Sequence, residues 1–249
     1  MLNDYGKLFL SRVEPIIHDF SDAKTALYDL KMSNENELRL VSPPFTAFPG
    51  LATKIQQRCP QVRINSINCN FQELKEYLSS GRLDFCILAT KLELPDISET
   101  ILADDEKLLI VSTSNPLSVY DNIDLAELKD KEFADYPGKI ASRSNLDTLC
   151  EQAGFSPNIT FMGTVLVDVL FAVRNGSYVA LVPARALNAY KLDGIKSIRI
   201  AEPKCNTQLK LYVKTNRKQR RIAKEVQQVI IEYFKEHPSA VENKSRAVM

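Results

Sequence analysis

The stretch ELRLVSPPFTAFPGLATKIQQRCPQVRINSINCN, Glu37 to Asn70, decides how this chain is read. A short apolar run, Leu38–Val41, meets Ser42-Pro43-Pro44. An amphipathic run from Phe45 to Arg58 follows, with Phe48, Leu51, Ala52 and Ile55 on one face, and then a second strand-like run, Val62–Ile67. Strand, helix, strand is the pattern of a parallel sheet whose faces are covered by helices. Pro43 and Pro44 lack N–H groups, but the amides of Phe45, Thr46 and Ala47 are free at the expected helix start. Unpaired amides and the helix dipole favour an anion there. Ser42 either caps that helix or faces what is bound.

The alternation continues outward. A helix is expected over Phe71–Ser79, ended by Gly81, then a strand over Phe85–Leu88 and another over Lys107–Ser112, broken by Asn115-Pro116. A second block opens with a short helix or turn at Leu125–Leu128 and a short strand at Lys139–Ala141. A helix over Asn145–Gln152 closes at Gly154. A strand over Ile159–Met162 leads to an amphipathic helix, Val165–Arg174, capped by Gly176. Strands are expected over Val179–Val182, Ile198–Ile200 and Gln208–Val213. The last helix, Lys218–Lys235, puts Ile222, Val226, Val229, Ile230, Tyr233 and Phe234 on one side. Two extended segments, near Lys107–Ser112 and Leu209–Val213, join the blocks, which implies two lobes, a hinge and a cleft. The expected organisation is a helix over 1–33, a first lobe over 36–112 plus 214–237, a second lobe over 113–213, and a disordered tail over 238–249.

The N-terminal segment carries a heptad seam: Phe9, Val13, Ile16, Phe20, Ala23, Leu27 and Leu30 recur at steps of four and three. That spacing suits a helix pairing lengthwise with another helix. A helix packed on its own domain is the alternative. Pro15 removes one backbone bond and is expected to kink the helix.

Bulk properties exclude several classes. Lys plus Arg is 32 and Asp plus Glu is 31, so a net charge of +1 gives no global pull on nucleic acid or anionic membrane. No apolar run approaches the roughly 20 residues that span a bilayer, and the first residues do not form a signal peptide, so a cytoplasmic address and no membrane contact are expected. Five cysteines without a CxxC pair point to neither zinc nor a disulfide framework. The two histidines, His18 and His237, suit no catalytic triad, and GxSxG, P-loop and HExxH motifs are missing. Asp104-Asp105-Glu106 reads as solvated surface, and the basic run Lys214, Arg217, Lys218, Arg220, Arg221 and Lys224 as an exposed face whose cations oppose the helix dipole. The chain is expected to be no enzyme and to need no cofactor and no metal.

Several short motifs occur in a familiar order. LNDYGKLF at Leu2–Phe9 looks like the "L-T-x-A-G-x-x-L" that opens the linker helix of LysR-type transcriptional regulators. Phe48-Pro49 through Cys59-Pro60 resembles their "L-L-P…F…Y-P", with Cys59 in place of an aromatic. Leu78–Ile87 is close to "L-x-x-G-x-L-D-x-A-I", Asn115-Pro116-Leu117 stands for "H-P-L", Gln152–Pro157 matches "x-A-G-F-x-P", and Val173–Pro183 matches "V-x-x-G-x-G-I-A-x-L-P", with Tyr178 replacing a glycine. Each match is weak singly; their order from Leu2 to Pro183 is specific. The family's winged helix-turn-helix has no counterpart in this sequence.

The resemblance implies an α/β, two-lobed periplasmic-binding-protein-like (type II) domain preceded by a linker helix, which binds a small effector, a carboxylate or other small anion, in the cleft. The strand ends that would face it carry Ser42, Phe45 and Thr46, then Asn68 and Asn70, then Thr90. The second lobe would add Arg143, as a charged fork, and Thr164. Phe9, Val13, Ile16, Phe20, Leu27 and Leu30 would form the dimerisation seam of a homodimer or homotetramer. Promoter DNA and RNA polymerase would be reached only through the full-length regulator. A transport-type solute-binding protein of the same fold and a thiol sensor using Cys69 are the other readings.

Overall fold

The computed structural model describes residues 3–31, 36–136, 145–215 and 219–238. Helix α1 (Asp4–Lys31) runs unbroken through Pro15. Phe9, Ile16 and Phe20 are 69%, 65% and 72% exposed, so most of the described seam faces outward. The side chains of Leu27 and Leu30 lie outside the described residues, as does the tail from residue 239.

Strands β1 (Glu37–Val41), β2 (Arg63–Ser66) and β3 (Phe85–Leu88) are parallel. Helices α2 (Leu51–Arg58) and α3 (Phe71–Ser79) make the crossovers. The helix expected from Phe45 is divided. Phe45–Ala47 is a single 3-10 turn, and α2 begins only after Gly50, whose φ is +84°. Pro49 explains the break, because it disfavours helical geometry at Phe48. Helix α3 starts with a capping box: the Asn70 side chain accepts from Glu73 N–H at 2.9 Å, and Glu73 accepts from Asn70 N–H at 2.8 Å. It stops before Gly81, held at φ +68°, where glycine avoids the clash of a side chain.

The sheet is mixed, not parallel throughout. Strand β4 (Ile97–Ser112) is far longer than the Lys107–Ser112 segment expected. Its first part pairs antiparallel with β10 (Asn206–Lys214), from Ile97 to Glu106, with a register shift near Leu102 that bends the strand. Its second part pairs antiparallel with β8 (Ala180–Pro183) and β9 (Ile195–Ile200). A short strand β5 (Asn122–Ile123) adds to β9, giving the order β2-β1-β3-β10-β4-β9-β5. Strands β6 (Glu132–Asp135) and β7 (Asn158–Met162) form a separate parallel pair. The expected strand at 139–141 lies outside the described residues.

Four apolar clusters divide the mass. Leu38, Leu40, Phe85 and Ile87 point to one face, against Leu51 and Ile55 of α2 and Ile222, Val226, Ile230 and Phe234 of α7 (Arg221–Glu236). Cys86 and Leu88 point to the other, against Leu74 and Leu78 of α3. That alternation is the period of a strand buried on both faces. In the second half, Leu108 and Ile110 meet Val169, Leu170 and Val173 of α5 (Leu166–Asn175). Leu109 and Val111 face Leu125, Leu128 and, on α4 (Asn145–Gln152), Leu146 and Cys150.

Arg220 of the basic run ties two elements together. Arg220 forks onto Asp84, with Nη2 at 2.6 Å and Nε at 3.1 Å, and Nη2 also donates to Glu37 O at 2.6 Å. A bidentate pair of this kind fixes orientation, and here it ties the start of α7 to β1. Arg217 and Lys218 lie outside the described residues.

Candidate ligand-binding site

The ends of β1, β3 and β10, the middle of β4, and the loops after β6, β7 and β8 converge on one cavity of about 470 Å3, within the usual range for small-molecule sites. The lobe of β1–β3 contributes Ser42, Pro43, Pro44, Thr46, Phe48, Asn68, Ala89 and Thr90. Thr207 and Leu209 come from β10 and Asp105 from β4. The other side supplies Tyr136, Thr164, Val165 and Leu166, then Pro183 and, on the short helix α6 (Ala184–Leu187), Arg185 and Ala186, then Tyr190. Helix α6 packs against the 3-10 turn at Phe45–Ala47, so the two halves touch along this wall.

Of the residues expected to face an effector, Ser42, Thr46, Asn68, Thr90 and Thr164 line the cavity. Phe45 and Asn70 do not. Phe45 packs on the core under α2 and α7, and Asn70 spends its side chain on the α3 cap. Arg143 lies outside the described residues. The free amides expected at Phe45–Ala47 are fewer than a helix would offer, because Ala47 N–H already donates to Pro44 O at 2.8 Å. Ser42 caps nothing; its hydroxyl donates to Pro43 O at 2.8 Å and leaves lone pairs free.

At Thr164 the helix start is occupied from within. One carboxylate oxygen of Asp168 accepts from Thr164 N–H and Thr164 Oγ1, both at 2.8 Å, and from Val165 N–H at 3.2 Å. The Thr164 hydroxyl is the largest cause holding the Asp168 carboxyl below the usual range. The protein's own carboxylate sits where an external anion was expected on this side.

Asp105 and Arg185 were missed. Asp105 is 7% exposed and Arg185 is 4% exposed. Asp105 Oδ1 accepts from Arg185 N–H at 3.3 Å. Burial pushes its carboxyl up to about 6, with Glu106 adding to the rise while the Arg185 amide and guanidinium and Lys107 oppose it. The Arg185 guanidinium looks elsewhere: Nη2 donates to His237 O at 3.1 Å and Pro238 O at 2.7 Å, and the group lies 5.4 Å over the Phe234 ring. Among the described residues its Nε is buried without a hydrogen-bond partner. The Tyr136 phenol is pushed up to about 12 by burial and by Asp135 and Tyr190, so it stays a neutral hydroxyl. Asp104 is exposed while Asp105 is buried, as alternation along a strand demands. The solvated reading of this acidic run thus holds for Asp104 and fails for Asp105.

Cys69 is 2% exposed and does not line the cavity; burial and Glu73 push its thiol up. Thiolate chemistry needs the opposite shift. Among the described residues no group of three or more His, Cys, Asp or Glu side chains is placed to hold a metal ion, and no helix is long and apolar enough to cross a membrane.

The family profile described as LysR substrate binding domain matches residues 33–235. The uncharacterized HTH-type transcriptional regulator YybE of Bacillus subtilis (strain 168) is 27% identical over 241 residues, which covers 94% of this chain and 81% of that protein. Among solved structures, the BenM effector binding domain with its effector benzoate superposes with a TM-score of 0.69 at 20% identity, covering 81% of this chain and 93% of that one. The effector binding domain of QuiR in complex with shikimate gives 0.69 at 19% identity, covering 81% and 98%. The shared fold is the two-lobed, periplasmic-binding-protein-like one.

Proposed function

We propose, from the premise that this chain belongs to the LysR substrate binding domain family, that it is the effector-sensing part of a LysR-type transcriptional regulator. The observation that carries the reading is the 470 Å3 cavity, lined from both halves at the point where β4 passes from one to the other. A small organic molecule seated there touches both halves at once. It favours whichever arrangement brings them together, and only by its difference in affinity for the closed and open forms. The hydroxyls and amide of Thr46, Asn68 and Thr90 offer donors suited to a carboxylate.

The exposed apolar seam of α1 fits pairing with a second copy, as a homodimer or within a homotetramer. Movement of the halves would reach promoter DNA through the head of the regulator, with α1 as the rigid arm. Binding of this kind requires no chemistry on the ligand, so the chain works as a binding domain and not as an enzyme.

Titration of a panel of small carboxylates, benzoate and shikimate included, tests the reading by calorimetry and thermal shift. At least one should bind saturably and raise the melting point, and Thr46→Ala or Asn68→Ala should weaken it without unfolding the chain. A panel without any binder, or affinity untouched in both variants, would refute the reading.

A further inference from the structure

Asp105 lacks a partner adequate to its burial. A carboxylate offers about four acceptor sites, yet among the described residues this one accepts a single bond, from Arg185 N–H, at a long 3.3 Å. The guanidinium of the same Arg185 is committed to the carbonyls of His237 and Pro238 and to the face of Phe234. A buried charged group left this way is costly unless something else donates to it. The rise of its pKa toward 6, with burial as the first cause, is the expected symptom.

The place of Asp105 is as telling as its bonding. It lines the cavity at the last stretch of β4 that pairs with β10, opposite Thr207, and two residues on, at Lys107, β4 takes up β8. The hydroxyl and amide donors of Thr46, Asn68 and Thr90 lie beyond the ends of β1, β2 and β3 instead. The cavity thus has two unlike polar surfaces, donors at the strand ends and an under-satisfied acceptor at the crossover.

We propose that the ligand is a bifunctional acid: a carboxylate that meets the strand-end donors, together with a hydroxyl or ammonium group that donates to the Asp105 carboxylate. This rests on the effector-binding reading above and narrows it from small anions in general to hydroxy acids and amino acids. A simple carboxylate satisfies only one of the two surfaces and leaves Asp105 buried and short of donors.

Matched probes test this by calorimetry on the wild-type chain, Asp105→Asn and Asp105→Leu, each checked for a cooperative melt. On an aromatic scaffold the probes are benzoate, 3-hydroxybenzoate and 3-(aminomethyl)benzoate; on an aliphatic one, butyrate, 3-hydroxybutyrate and 3-aminobutyrate. At least one donor-bearing acid should bind the wild type about tenfold or more tightly than its donor-free parent, as one hydrogen bond to a charged group allows. Asp105→Leu should erase that ratio. Asp105→Asn, which keeps an acceptor oxygen but no charge, separates the two donors: an ammonium ligand loses its advantage and a hydroxyl ligand retains part of it. Parent acids that bind as tightly as their donor-bearing partners would overturn the inference while leaving the effector reading intact, and so would a ratio that survives Asp105→Leu. A chain that binds no carboxylate in either series or in the wider panel would overturn both.

Discussion

Asp105→Asn should make the ligand-free chain more stable at pH 7.5. Burial lifts the Asp105 carboxyl from its ordinary 3.8 to about 6, against the pull of Arg185 and Lys107 and with a small push from Glu106. For an acid, a raised folded-state pKa means that the proton favours the folded state. The stability it contributes is complete below about pH 4 and is lost as pH rises through about 6. Roughly two units correspond to about 3 kcal/mol, an upper figure if water entering the cavity relieves part of the penalty. Asparagine resembles the protonated side chain and keeps the oxygen that accepts from Arg185 N–H, so it escapes the loss. Urea unfolding followed by circular dichroism at pH 3.5, 4.5, 5.5, 6.5 and 7.5 should give nearly equal stabilities for the two proteins at the acid end. The variant's lead should grow to roughly 1–3 kcal/mol at the alkaline end. A variant less stable than wild type at pH 7.5, or a difference constant across the range, would show that Asp105 is well satisfied in the free protein.

Asp168→Ala should lower the melting point at neutral pH, an effect that fades as pH falls through the depressed pKa of Asp168, and should tighten benzoate severalfold by freeing three donors at the start of α5; weaker benzoate binding would mean these donors do not face the ligand. Phe9→Glu combined with Phe20→Glu should halve the mass measured by light scattering, because both rings stand exposed on the α1 seam; unchanged mass would move the self-association elsewhere. Ile230→Ala, fully buried where α7 meets the β1–β3 sheet, should cost about 2–5 kcal/mol in urea unfolding; a loss below about 1 kcal/mol would mean that α7 is not firmly docked.

The parts of this fold that could be read from sequence are those where local chemistry and tertiary role agree. Leu38 and Leu40, Phe85 and Ile87 alternate as buried strand residues should, and Asn70 with Glu73 and Gly81 bracket α3 with local capping signals. The errors come where a long-range partner overrides the local pattern. Ile97–Glu106 carries too many charges to read as a strand alone, and becomes one because β10 hydrogen-bonds along it. With that half of β4 unrecognised, Asp105 had no face to belong to and passed for solvated surface. The bend near Leu102 further disturbs the alternation that would have shown Asp104 outward and Asp105 inward. Arg185 was hidden for a similar reason. Nothing beside it in sequence foretells that the end of α7, more than fifty residues on, supplies the carbonyls that hold it.

On the proposed reading, a carboxylate kept under-satisfied at the crossover of two lobes links occupancy to closure. In the free protein its charge is a cost carried by β4 at the point where that strand changes partners. A donor arriving from a ligand removes the cost, while the same ligand's carboxylate holds the ends of β1, β2 and β3. The free energy released at Asp105 is therefore available only to a molecule long enough to reach both surfaces, and only when the halves stand close enough for both contacts. Selectivity and the bias toward the closed form then come from one interaction. A tenfold preference for the closed arrangement is about 1.4 kcal/mol, which a single hydrogen bond to a charged group supplies. A donor-free acid that binds equally well to both arrangements would occupy the cavity and shift nothing.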